Sequence, residues 1–147
     1  MSIVRKDFFE RLVEQFGNFL AAVVKQRKAG QAELALQQLE QGYLPLLGMD
    51  GTMLKAVDSH SAADLLDHPV RIASFARLLL EEAEIQVALG ALISAERCRS
   101  HALEIYLEAL SRTRAPSLQW ITDVRTLREQ VEVSSLAPHY RELLAAL

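Results

Sequence analysis

Apolar residues recur at spacings of three and four along most of the chain, and the pattern breaks at a few glycines and prolines. Phe8, Leu12, Phe16, Phe19 and Val23 fall on one stripe, which predicts an amphipathic helix from about Lys6 to Lys28, stopped by Gly30. Leu36, Leu39, Tyr43 and Leu46 form a second stripe, expected to end near Pro45 and Gly48 because proline and glycine disfavour continuation. A link of only a few residues forces two long helices to lie antiparallel and bury their stripes against each other. Residues 5–48 therefore read as a helical hairpin.

Residues 49–68 are different. Asp50-Gly51 and Asp58-Ser59-His60-Ser61 punctuate short apolar groups, which predicts two short helices in a linker, with Ser61 and Asp64 spaced like a capping box. Pro69 suits the first position of a third long helix carrying Ile72, Phe75, Leu79, Ala83 and Val87 up to Gly90. A fourth, from about Leu92 to Arg112, turns Ala95, Cys98, Ala102, Tyr106 and Ala109 inward, making residues 69–114 a second hairpin. Ser117 is placed to cap a fifth helix with Leu118, Ile121, Val124, Leu127 and Val131 on one face. A last short helix starting near Ser135 or Pro138 carries Tyr140, Leu143 and Leu144, so residues 117–147 read as capping helices. The expected fold is a single all-α domain of six to eight helices spanning residues 1–147.

Composition agrees with that scheme. At 147 residues, half apolar and a quarter charged, the chain is long enough for one ordinary core. A net charge of −3 without long like-charge blocks recruits neither nucleic acid nor an anionic membrane. The longest uninterrupted apolar run, Phe19 to Val24, is far below the roughly 20 residues that span a bilayer. Asp7, Glu10 and Glu14 stand where a secretory signal would be hydrophobic, so a cytoplasmic location is expected. The single cysteine, Cys98, precludes an internal disulfide and reads as a small core residue.

Two stretches are alike: Lys28-Ala29-Gly30-Gln31-Ala32-Glu33-Leu34-Ala35-Leu36 and Ala88-Leu89-Gly90-Ala91-Leu92-Ile93-Ser94-Ala95-Glu96, each with alanine five residues after the glycine. In this they resemble tetratricopeptide repeats, where such a glycine closes the turn between two helices and the small alanine admits close approach. The segment Ala102 to Leu110 fits the second helix of such a repeat in another register, but Gly90 gives two helices of balanced length and is taken as the turn. The chain departs from the repeat in lacking a tryptophan before the turn and in spacing the two units about 60 residues apart instead of 34. The layout also resembles a bacterial family of unknown function that opens with a charged-aromatic helix, here Lys6-Asp7-Phe8-Phe9, and carries a Leu-Leu-Gly segment, here Leu46-Leu47-Gly48. The repeat resemblance implies hairpins stacked in a right-handed array that binds a protein or peptide. The second resemblance implies a fold without an activity.

Chemistry is sparse. The glycines at 17, 30, 42, 48, 51 and 90 belong to no phosphate-cradling motif, and no G-x-S-x-G elbow is present. The densest set of possible metal ligands is Asp58, His60, Asp64, Asp67 and His68, although Asp and Ser in that density also cap short helices. His101 reads as part of an exposed helical face or of a local polar contact, the Glu81, Glu82, Glu84 group reads as a solvated face, and His139 is unspecific. Arg97, Arg99, Arg112, Arg114, Arg125 and Arg128 near Trp120 make the later helices locally basic, but Glu96, Glu104, Glu108 and Asp123 dilute that field. Gly17 and Gly42, inside predicted helices, point to close packing at the first hairpin's crossing or at a subunit contact. No catalytic, cofactor-binding or metal residue is assigned. The leading expectation is a non-catalytic interaction or scaffold module, with a homodimer as one form. The alternatives are a small-molecule or metal-binding regulatory domain using residues 49–68, and a nucleic-acid adaptor.

Overall fold

The computed structural model describes residues 2–147, with side chains from residue 7 onward. The described residues form α-helices and one 3₁₀ turn, with no strand among them. The order is α1 (Ser2–Lys28), α2 (Ala32–Leu47), α3 (Gly51–Ala56), α4 (Ser59–Leu66), α5 (Pro69–Ala88), α6 (Leu92–Ser111), α7 (Leu118–Gln130), the 3₁₀ turn (Val133–Ser135) and α8 (Pro138–Ala145). The predicted helix order is observed, including both short linker helices. Lys6, part of the charged-aromatic opening, lies outside the described side chains.

The two long pairs end their first helices in the same way. Gly30 and Gly90 sit at φ 81° and 78°, a left-handed conformation that costs other residues their Cβ clearance. Around them the amide of Gln31 bonds to the Gln26 carbonyl and that of Ala91 to the Gln86 carbonyl, the six-residue closure that ends helices at glycine. Ala35 and Ala95, five residues beyond each glycine, are both fully buried. The two matching stretches thus build the same turn and the same close helix approach.

The core centres on α5 and α6, which pack on each other along their length. α5 also meets α1, α2 and α4, while α6 meets α4, α7 and α8. Being covered on several sides, α5 buries five consecutive residues from Ile72 to Ala76, and α6 buries Ile105 through Ala109. A helix with neighbours all round cannot show a single clean stripe. Leu12, Phe16, Leu20 and Val23 of α1, and Leu39, Tyr43 and Leu47 of α2, close over this centre. Each fully buried Leu, Ile or Phe side chain contributes roughly 1.5–3 kcal/mol.

α2 ends at Leu47 with Gly48 as its left-handed cap, as expected, and Pro45 is accommodated in its last turn. Other expectations need correction. Asp58, not Ser61, caps α4: its carboxylate accepts from the Ser61 amide at 2.8 Å and the Ser61 hydroxyl at 2.9 Å. Gly42 does lie at the crossing of α1 and α2, where an added Cβ would run into the Phe19 ring, but Gly17 faces open space. Leu118 is 81% exposed and Phe8 57%, since nothing in the described residues covers the ends of those two stripes.

Candidate functional site

The five possible metal ligands of residues 58–68 separate into local structural roles. Asp58 caps α4. Asp67 occupies φ 67°, ψ −60°, with the His68 amide bonded to the Leu66 carbonyl at 2.8 Å, a tight γ-turn between α4 and α5. His68 caps α5 through Nδ1, which accepts from the Val70 amide at 3.1 Å, while its ring stacks on Phe9 at 3.8 Å. Beside this turn Arg71 donates to the carbonyl of Leu66 at 3.0 Å and also to that of Leu47, so one guanidinium serves the ends of α4 and α2. Among the described residues no group of three or more His, Cys, Asp and Glu side chains is placed to hold a metal ion.

His60 and Asp64 join a different cluster. Glu108 of α6 is 2% exposed, and its carboxylate accepts from the Tyr140 hydroxyl at 2.8 Å and from Arg112 at 3.1 Å, with His60 Nδ1 at 3.2 Å. Arg112 also donates to Asp64 at 2.8 Å, and the Ser59 hydroxyl donates to Glu104 at 2.6 Å. These contacts tie α4, α6 and α8 together. A buried carboxylate is tolerable only with such compensation, and burial together with the bond to Glu108 holds the Tyr140 phenol well above its usual range. Sequence alone gave no sign of this hub, because Glu108 lies 48 residues from His60 and 32 from Tyr140.

The α5 carboxylates are not a solvated face. Glu81 pairs with Arg27 of α1 at 2.6 Å, and Glu82 pairs with Lys55 of α3 and accepts weakly from the Cys98 thiol at 3.5 Å. Only Glu84 is exposed. Burial, reinforced by Glu82, pushes the Cys98 thiol up to about 12, so it is a protonated core group and no nucleophile. His101 is half-buried, edge-on to Phe75 at 5.4 Å, and desolvation lowers its pKa. The Tyr43 hydroxyl is buried nearby with no hydrogen-bond partner among the described residues.

Several clefts remain open around this framework, among them a polar one of about 580 Å³ on α6 beside Arg97, His101, Glu104 and Glu132. Three others lie along α1, α2, α5 and α7. One, of about 600 Å³, lies between α2 and α3 beside Gln37, Glu40, Tyr43, Asp50 and Lys55. The other two meet at Arg77. On one side Gly17, Leu20, Ala21 and Val24 of α1 make an apolar floor under Lys25, Lys28 and Arg77, in a cleft of about 610 Å³ with no acidic residue in its lining. On the other side a smaller cleft is framed by Glu81 and Glu84 of α5 and by Asp123, Thr126 and Gln130 of α7. Asp123 is held from behind: the buried Tyr106 hydroxyl donates to it at 2.5 Å and the Gln119 amide at 2.9 Å, while Arg77 stands at 3.5 Å. No helix among the described residues is long and apolar enough to cross a membrane. Compared with known protein families, curated proteins and solved structures, the chain finds no match.

Proposed function

We propose that this chain is a non-catalytic interaction module, and that its stacked helical hairpins present the face made by α1, α5 and α7 to a protein or peptide. One observation carries the proposal: the buried carboxylates Glu81 and Glu108 are committed to ties between helices, whereas two clefts meeting at Arg77 stay open along α1, α5 and α7. A tetratricopeptide-like right-handed stack is part of the same proposal. It is supported by the repeated glycine turn and by the order of packing, in which α5 lies against both α1 and α2, and α7 against α6. The proposal includes a cytoplasmic setting, which suits a lone reduced cysteine in the core.

The test is affinity purification of the full chain with mass determination of what co-elutes, followed by light scattering of the complex. A protein that co-elutes stoichiometrically, or a defined homodimer, is the expected result. An inert monomer that retains nothing refutes the proposal. A small-molecule regulatory domain is the second reading, favoured by the cleft between α2 and α3, which falls partly on residues 49–68 as that alternative requires.

A further inference from the structure

We infer that the cleft between α1 and α5 takes an acidic amphipathic helix of a partner protein, its apolar stripe on Gly17, Leu20, Ala21 and Val24 and its carboxylates on Lys25, Lys28 and Arg77. The inference rests on the interaction-module proposal and adds the chemistry of the partner.

The charge pattern is the first reason. Lys25 and Lys28 have no salt-bridge partner among the described residues, and both line the cleft. Arg27, Lys55 and Arg112 are paired with carboxylates of the same chain, and Arg97, though unpaired among the described residues, lines its cleft together with Glu96, Glu104 and Glu132. Three cations over an apolar floor with no acid in the lining complement a partner that is acidic and apolar on adjoining faces.

Arg77 is the second reason. Its side chain is 37% exposed, and its guanidinium stands 3.5 Å from Asp123, a loose pairing. Asp123 also accepts from Tyr106 and Gln119, so it keeps two hydrogen bonds when Arg77 leans toward a partner carboxylate. The third reason is shape. An added Cβ at Gly17 would meet nothing within 4 Å, so the floor is lowest where a partner side chain would enter.

The probe is a fluorescein-labelled peptide of about 16 residues with leucine at every third or fourth position and glutamate between, a helix-in-groove design. Its counterpart has lysine in place of glutamate. Binding to the full chain is read by anisotropy and mapped by amide chemical shifts. The glutamate peptide is expected to bind, with shifts centred on Gly17, Ala21, Val24 and Arg77, and the lysine peptide is not. The Lys25→Glu/Lys28→Glu double variant is expected to weaken the glutamate peptide by at least about tenfold and to favour the lysine peptide. Gly17→Leu should stay folded, as its circular dichroism and melting will show, and lose binding because the new side chain fills the floor.

Equal binding of both peptides, no binding of either, shifts centred on another face, or self-association mapped to this cleft would each overturn the inference. A co-purified partner that binds the Gly17→Leu and Lys25→Glu/Lys28→Glu variants as tightly as the native chain would leave the interaction module standing and remove this groove from it.

Discussion

Two glycines inside helices of the first hairpin should respond oppositely to the same substitution. Gly17 and Gly42 are helical, and replacing a helix-interior glycine by alanine gains up to about 1 kcal/mol in propensity. At Gly17 nothing lies within 4 Å of the new methyl, so the gain is uncancelled. For a chain of 147 residues, unfolding entropy near 2.1 cal/mol/K per residue converts 1 kcal/mol into a melting shift of about 3 °C. At Gly42 the same methyl would stand 2.6 Å from Cε2 and 2.8 Å from Cε1 of Phe19, with Cζ closer still. The ring must move, and overpacking of that kind costs typically 1–3 kcal/mol, which exceeds or cancels the propensity term. Gly42→Ala is therefore expected to be destabilising by about 1 kcal/mol net, and Gly17→Ala stabilising by a similar amount. Urea titration at constant m-value measures both. A double-mutant cycle with Phe19→Leu should recover much of the Gly42→Ala loss, since the smaller side chain vacates the contested space. If Gly42→Ala is as stable as Gly17→Ala, the close crossing of α1 and α2 is wrong.

Other substitutions probe separate parts of the fold. Glu108→Gln keeps the shape but removes the charge that Arg112 and Tyr140 share, and is expected to cost about 2 kcal/mol and to speed amide exchange in α8 first; a change under about 0.5 kcal/mol would show that the hub is not an important tie. Asp67→Gly relieves a strained backbone at φ 67° and should stabilise by about 1 kcal/mol in chemical denaturation, whereas destabilisation would mean the γ-turn depends on the aspartate side chain. His101 has a lowered pKa in the fold, so below about pH 6.5 the unfolded chain binds a proton that the fold resists, and stability must fall as pH drops through that value. Urea midpoints at pH 7.5 and 5.5 should differ by less in His101→Leu than in the native chain, and an equal difference would refute the assignment. With its pKa raised to about 12, Cys98 should react with iodoacetamide at pH 8 at least about 100-fold more slowly than a free thiol, and rapid alkylation would place it outside the core.

The helices were legible because their marks are local. Gly30, Gly90, Pro69 and Pro138 act on their own backbone, and the stripe of α1 needs only one covered side. What escaped were the side chains whose partners are remote in sequence. Glu81 and Glu82 look like a solvated acidic run until Arg27 and Lys55 are brought to them from α1 and α3. His101 sits on a helix between Arg97 and Glu104, a polar neighbourhood in sequence, yet it packs on Phe75. The linker misled in the other direction: five ligand-type residues close in sequence are used one by one for caps, a γ-turn and the α6 hub. The cleft floor could not be read because Gly17 looks the same in sequence whether its surroundings are empty or crowded.

Arg71 joins the last carbonyl groups of α2 and α4 from its own position in the first turn of α5, and so holds three helix ends at one point. Arg71 meets the Leu66 carbonyl, five residues away, as soon as the junction of α4 and α5 forms, whereas it gains the Leu47 carbonyl, 24 residues away, only when α2 docks on α5. Its lysine counterpart, with one ammonium in place of a fork, would have to choose between the two ends and leave the other to solvent. The seam between residues 47 and 71 would then open more often in the folded chain, and native-state proteolysis there is expected to be faster in Arg71→Lys than in the native protein.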